Sequence, residues 1–318
     1  MADKKKILIL GGSGFIGKNL SKYFRDKYRV TATYNKSKPI FEKKIRYLKI
    51  NLLNEKAVYS AIKGTDIVIN AAAVTSGAHD IINRPQIHFI NNVIINANAI
   101  KAVHENSIKH YIFLSCSVMY HNSKVPLSEK NLNLNRPINE KYFGSAWNKI
   151  FAEKSCEFYS KFKKCKYSVI RHSNIYGPYD KFDLKKSHFL GATINKVVNS
   201  KSESMNFWGK GTEMRDFLHI DDLLSGIEKM MKSQKKYFDI VNLSYGKSYP
   251  IKEIAKKIIK ISNKKIKITH DLSKPSISIN LSLNNKYALK KYNWKPKVKL
   301  EEGLKRTIDW YIKFYNKF

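Results

Sequence analysis

Acidic side chains are scarce in this 318-residue chain, where 25 Asp and Glu face 60 Lys and Arg and leave a formal net charge of +35. Cysteine is scarcer still, with Cys116, Cys156 and Cys165 the only three. They form no CxxC pair, so neither a disulfide framework nor a thiolate zinc site is expected. The histidines, His79, His88, His110 and His219 among them, show no ligand spacing, and no metal centre is expected. Long apolar runs are missing too. Stretches such as 7–10 and 67–74 are short and interrupted, well below the roughly 20 residues a membrane-crossing helix needs. The four apolar residues after Lys6 stop at Gly11 and Gly12, too few for a secretory signal, so the expected location is the cytoplasm. Neither an internal repeat nor a low-complexity linker divides the chain.

What is present argues for a soluble globular protein. Apolar residues make up 43 % and aromatics 12 %, enough to build a buried core. The lysines are spread through nearly every segment and rise together with Asn and Ile, which reads as a solvated surface and not as a nucleic-acid-binding arm. Such a surface still gathers small anions such as nucleotides.

Up to about residue 114, short β-branched runs alternate with stretches of helical period, the pattern of successive βαβ units. Strands are expected at 7–10, 29–34, 46–50, 66–70, 110–115 and 167–171, with helices at 15–25, 85–105 and 146–162. Beyond Gly177 the period is less regular, with short strands near 205–208 and 239–243 and helices at 221–231, 251–262 and 300–315. The expectation is an α/β protein: a Rossmann-type doubly wound parallel sheet with a smaller mixed α/β C-terminal domain. Residues 1–175, with a returning segment about 210–245, would bind a dinucleotide, and 176–318 would bind substrate. The cleft between them is the natural site.

The sharpest motif is Gly11-Gly12-Ser13-Gly14-Phe15-Ile16-Gly17, placed between the first expected strand and helix. A chain that turns sharply, approaches a pyrophosphate and packs a helix on a sheet needs glycine at 11, 14 and 17, and the helix start offers its N–H groups to phosphate. Phe15 and Ile16 belong to the same cradle. At the tip of the second strand, Thr33-Tyr34-Asn35-Lys36 contains no acid. Lys36 suits the 2′-phosphate of NADP and Asn35 a plain ribose, while Asn51 can meet the adenine edge; NAD and NADP both stay open.

The glycine loop, Asn70-Ala71-Ala72-Ala73, Tyr176-Gly177-Pro178 and the run from Trp208 through Arg215 to Asp222 together resemble the extended short-chain dehydrogenase/reductases, the NAD-dependent epimerase/dehydratase family. The likeness is strongest to the GDP-L-fucose synthase branch, at Ile82-Asn83-Arg84-Pro85, Ser187-His188 and the Arg215 segment. The resemblance implies cofactor contacts at Ala71 and Ala72, a diphosphate contact at Arg215, and a nucleotide-sugar pocket lined near Asn174, Trp208 and Lys274. It also implies homodimerisation through the helices at 85–105 and 146–162.

Such enzymes carry a Tyr four residues before a Lys on one helix face. Here the lysine position is Lys149 and the tyrosine position is Ser145, so the usual acid/base is missing, with Tyr142 three residues earlier. Cys116 stands where a Ser or Thr bonds the reacting sugar oxygen, leaving Ser115 or Ser117 as substitutes. Ser117 and Val118 replace the Asp-Glu pair of the dehydratases. Val118 also replaces the cysteine of the double epimerases, while His188 matches their histidine. What survives is hydride transfer at a sugar carbon, most naturally carbon 4, serving capsule or lipopolysaccharide synthesis. The proton would pass through Tyr142, a water held by Ser145 and Ser117, or Lys149. An epimerase acting by transient oxidation and a cofactor-binding protein without catalysis are the alternatives.

Overall fold

The computed structural model describes residues 4–75, 77–184, 186–272 and 279–315, without the side chains of Ala78 and His79. Its strands are β1 Lys6–Leu10, β2 Arg29–Tyr34, β3 Ile45–Lys49, β4 Ile67–Asn70, β5 His110–Leu114, β6 Lys166–His172, β7 Asn174–Tyr176, β8 Ser204–Trp208, β9 Met214–His219, β10 Phe238–Leu243, β11 Ser248–Pro250, β12 Lys267–Asp271 and β13 Asn280–Leu281. The helices are α1 Phe15–Phe24, α2 Glu55–Ile62, α3 Ala78–Asn83, α4 Ile90–Glu105, α5 Phe143–Ser160, α6 Phe189–Val198, α7 Ile220–Ser233, α8 Ile251–Ile261, α9 Lys286–Tyr292 and α10 Leu300–Phe314.

Seven strands form one parallel sheet in the order β10-β6-β5-β4-β1-β2-β3. Because side chains alternate across a strand, each central strand feeds two cores. Ile7 and Ile9 of β1 join Ile69, Ile112, Leu114 and Ile170 under α1 and α7. Leu8 and Leu10 join Val68, Tyr111, Phe113 and Val169 under α2, α4 and α5. After β6 the chain leaves to build a second lobe. There β7, β11 and β13 flank β9, β8 pairs with β12, and a third core gathers Phe182, Ile194, Phe217, Ile254, Leu304 and Ile308. It then returns through α7 to place β10 beside β6.

The expected Rossmann-type sheet and mixed C-terminal lobe are present, with local differences. The long helix expected at 85–105 is a 3₁₀ turn, Pro85–His88, and a separate α4, broken at Phe89 (φ −105°, ψ −84°). The segment carrying Arg215 is strand β9, paired on both edges. The sequence pattern does not mark the helices α2, α3, α6 and α9, none longer than ten residues. Helices this short are held by tertiary packing, which overrides weak propensity.

Helix α5 is tied to the sheet by buried polar groups. Asn148 accepts from Asn96 of α4, and Asn96 accepts from Asn70 at the end of β4. Glu153 and Arg171, 4 % and 5 % exposed, form an ion pair at 2.6 Å to which Ser115 also donates. A carboxylate and guanidinium out of water repay their desolvation only through such full pairing. Replacement Glu153→Ala is expected to cost about 3–5 kcal/mol by stranding Arg171. The double replacement of Glu153 and Arg171 by methionine should cost much less. Urea unfolding of both variants checks the contrast.

Candidate active site

The glycine cradle sits at the C-terminal end of β1, the ligand-binding edge of an open parallel sheet. Gly11 has φ +79°, and a Cβ there would lie 2.7 Å from the Cα of Ala72; a Cβ at Gly17 would lie 2.1 Å from the Gly11 carbonyl. The turn is pinned by the Gly11 N–H donating to Thr33 Oγ1 (3.0 Å) and the Gly14 N–H donating to the Gly11 carbonyl. Ala71 continues the β4 ladder by donating to the Leu10 carbonyl, and Ala72 donates to Asn70 Oδ1. No side chain caps α1 at Gly14, so its first N–H groups face outward for an anion. These features fit a dinucleotide. Phe15 and Ile16 lean on the core beneath. Asn35 and Asn51 lie together at the sheet edge (3.5 Å), and the exposed Lys36 projects beside them.

At the other end of the cleft, Lys149 rises from α5, donates to the Leu114 carbonyl at 2.7 Å and lies over the Phe113 ring. Burial lowers its pKa, while neighbouring Cys116 and Glu153 pull it back up. Burial also raises the Cys116 thiol, against the pull of Lys149. Ser145, one turn before Lys149, is half-buried on the same helix. Tyr142 does not extend α5 by a turn: it closes a 3₁₀ turn, Glu140–Tyr142, and caps the helix.

That position points Tyr142 into a narrow cavity of about 30 Å³, which it lines with Ser117, Asn174, Asp216 and Arg215. Burial raises the Tyr142 phenol, and the charge of Arg215 draws it down. Arg215 is anchored by donating to the carbonyls of Met214 and Ile279, the latter at 2.7 Å. Asn174 donates to the Asp216 carbonyl. Ser115, one of the two substitutes for the sugar-oxygen donor, is committed elsewhere: it is fully buried and bonded to Glu153. That leaves Ser117 on the cavity wall. Trp208 ends β8 and is 43 % exposed. Lys274 lies outside the described residues.

His188 stands at the N-cap position of α6 and is exposed, yet it is surrounded by protein at longer range. That enclosure, with Lys181 and His88 nearby, pushes its imidazole down to about 4. His172, at the end of β6, was missed in the sequence because a single histidine carries no pattern. Its Nδ1 lies 2.8 Å from the Ser173 carbonyl, so this nitrogen holds the proton as donor. Burial pushes it to about 4, with Lys149 and His188 adding to the effect. Among the described residues, no group of His, Cys, Asp and Glu could hold a metal, and no helix is long and apolar enough to cross a membrane.

Residues 7–244 match the NAD dependent epimerase/dehydratase family. The chain belongs to that family. It is 30 % identical to the GDP-L-colitose synthase of Yersinia pseudotuberculosis over 96 % of this chain and 98 % of that protein. It is 27 % identical to the GDP-L-fucose synthase of Escherichia coli K12 over 99 % of each. The UDP-glucose 4-epimerase of Thermotoga maritima shares the fold, with a TM-score of 0.86 at 22 % identity over 98 % of this chain and 99 % of that one. The family expectation drawn from the glycine loop and the Arg215 segment is therefore met, and with it NAD(P)-dependent enzyme chemistry.

The lowered histidines make a prediction about pH. An imidazole that stays neutral when folded but takes a proton near pH 6.5 when unfolded gives stability that is complete above that value and drains away as pH falls toward 4. The unfolding midpoint should therefore drop steadily across that window. In NMR titration, the ring shifts of His110 and His172 should stay flat above about pH 5.

Proposed function

We propose that the protein is an NAD(P)-dependent oxidoreductase acting on a GDP-linked sugar, moving hydride at sugar carbon 4 as a dehydrogenase or a 4-keto reductase. The observation that carries this reading is the convergence of Tyr142, Ser117, Asn174 and Arg215 on one cavity, with Lys149 and Cys116 beside it. GDP is favoured because both relatives above are GDP-sugar synthases by name.

In this reading residues 1–175 and about 210–245 hold the cofactor, and 176–318 supply most of the substrate pocket. Gly11, Gly14, Phe15, Ile16 and Gly17 cradle the pyrophosphate, Ala71 and Ala72 flank it, and Asn35, Lys36 and Asn51 meet the adenosine end. Lys149 holds the ribose next to the reactive ring. The nicotinamide, when bound, gives or takes the hydride. Arg215 pairs with the sugar diphosphate, with Asn174 beside it and Trp208 and Lys274 toward the nucleotide. Ser117 holds the reacting oxygen. Tyr142 donates its phenolic proton to that oxygen as the carbon is reduced, or takes it in the reverse direction, with the Arg215 cation lowering the cost of the phenolate. Ser145 orients water near Lys149.

His188 favours a second reading, epimerisation by transient oxidation, since a neutral imidazole in the cleft can take a carbon-bound proton. Cys116, half-buried beside Lys149, is its partner there. Solvent deuterium incorporated without net change in reduced cofactor would select this reading.

We further propose a cytoplasmic homodimer serving surface polysaccharide synthesis. The exposed apolar face of α4 and α5 and the residues before them, with Phe89, Ile90, Phe143, Trp147 and Phe151, supports the pairing.

Tyr142→Phe should cut turnover by about 10²–10⁴ without unfolding the chain. Near-normal turnover would move the proton to Lys149 and water. Arg215→Ala should weaken GDP-sugar binding by about 1.5–3 kcal/mol while cofactor affinity holds. Isothermal calorimetry with each ligand reads both quantities.

A further inference from the structure

A second cavity of about 440 Å³ opens beside the first. The two share Val118, Ile279 and Leu281 and so adjoin one another. Arg215, Asn174 and Asp216 line only the first. The residues that follow Ser117 and those that precede Tyr142 line the second. A ligand with its diphosphate on Arg215 and its reacting oxygen between Ser117 and Tyr142 therefore points its far edge into the larger space.

The walls there are preformed. Asn280 N–H donates to Asn122 Oδ1 (3.2 Å), and Ser123 N–H donates to the Asn280 carbonyl (2.8 Å), which fastens one wall to β13. On the other wall, Asn139 Oδ1 accepts from the Lys141 N–H and its carbonyl accepts from the Tyr142 N–H. The floor, from Val118, Ile138, Ile279 and Leu281, is apolar, while Asn122 and Asn139 add donors and acceptors above it. Glu140 and Lys141 bring opposite charges to the lining, and His121 lies there too. At about 30 Å³ per water, the space equals on the order of ten or more water molecules. A methyl or hydroxymethyl group leaves most of it empty.

We infer that the physiological sugar carries, on the edge remote from its diphosphate, an uncharged polar substituent of several heavy atoms, and that this cavity holds it. The inference rests on the nucleotide-sugar reading and deepens it by naming the substrate class.

The test compares two GDP-linked 4-keto sugars that differ only in the chain on carbon 5, a methyl group in one and a hydroxylated two-carbon chain in the other. Calorimetry on cofactor-saturated protein gives both dissociation constants, and steady-state kinetics gives both kcat/KM values. The longer sugar should win by tenfold or more, and Glu140→Trp or Pro137→Trp, each filling the cavity from an exposed position, should collapse that ratio. Equal preference in the native protein, or a ratio untouched by both tryptophans, overturns the inference while leaving the nucleotide-sugar reading in place. If neither GDP-sugar binds although the nicotinamide cofactor does, both fall together.

Discussion

The geometry of the cleft depends on how α5 is held against the sheet. A helix packed by apolar contacts alone can slide by fractions of a turn at modest cost, because hydrophobic burial has no direction. Here the register is set by directional ties. Asn148 is linked through Asn96 to Asn70, Lys149 reaches the Leu114 carbonyl, and Glu153 locks onto Arg171 and Ser115. The partners are buried or half-buried, and a slip would leave charges or amides unpaired in a poor solvent for them. The same network joins the loop after β4, through Asn70 and Ala72, to the lysine at the opposite end of the candidate cofactor groove. Stability and site geometry are thus carried by one set of bonds.

The second lobe is arranged around β9. Its pairing with β7, β11 and β13 places Arg215 against Ile279 and opposite Tyr142, residues far apart in the chain. Asp216, next to it, is buried and accepts from the backbone N–H groups of Tyr245 and Gly246, which anchors the strand from its other side. Burial holds that carboxyl up at about 6. Arg215 lines the narrow cavity from a strand braced along both edges, so it would lose little freedom to a ligand bound there. The dispersed basic surface adds long-range attraction of the same sign.

The position one turn before Lys149 is held by Ser145, and Tyr142 stands just outside the helix. Tyr142 ends a 3₁₀ turn and does not sit within α5, so its phenol approaches the cavity from the helix mouth, near Cys116 and Arg215. Counting residues along a regular helix could not have placed it, since a 3₁₀ turn and a capping residue do not follow the 3.6-residue period. His172 escaped for a different reason. Its value lies in its nearness to Lys149 and His188, which is a property of three separate segments.

Much of the fold is legible in the sequence. The sheet-forming runs, the glycine cradle and the family could be read because they are local: period-2 and buried apolar runs mark strands, and a turn that admits no Cβ demands glycine at Gly11 and Gly17 whatever lies around it. The missing tyrosine at Ser145 was equally plain. Tertiary structure alone decided that Arg215 stands on a strand, that Ser115 is spent on Glu153, and that the space beyond Val118 is roomy. Each of these depends on which distant segments meet, and the free energy that brings them together is a sum over the whole packed core that no short stretch of chain encodes.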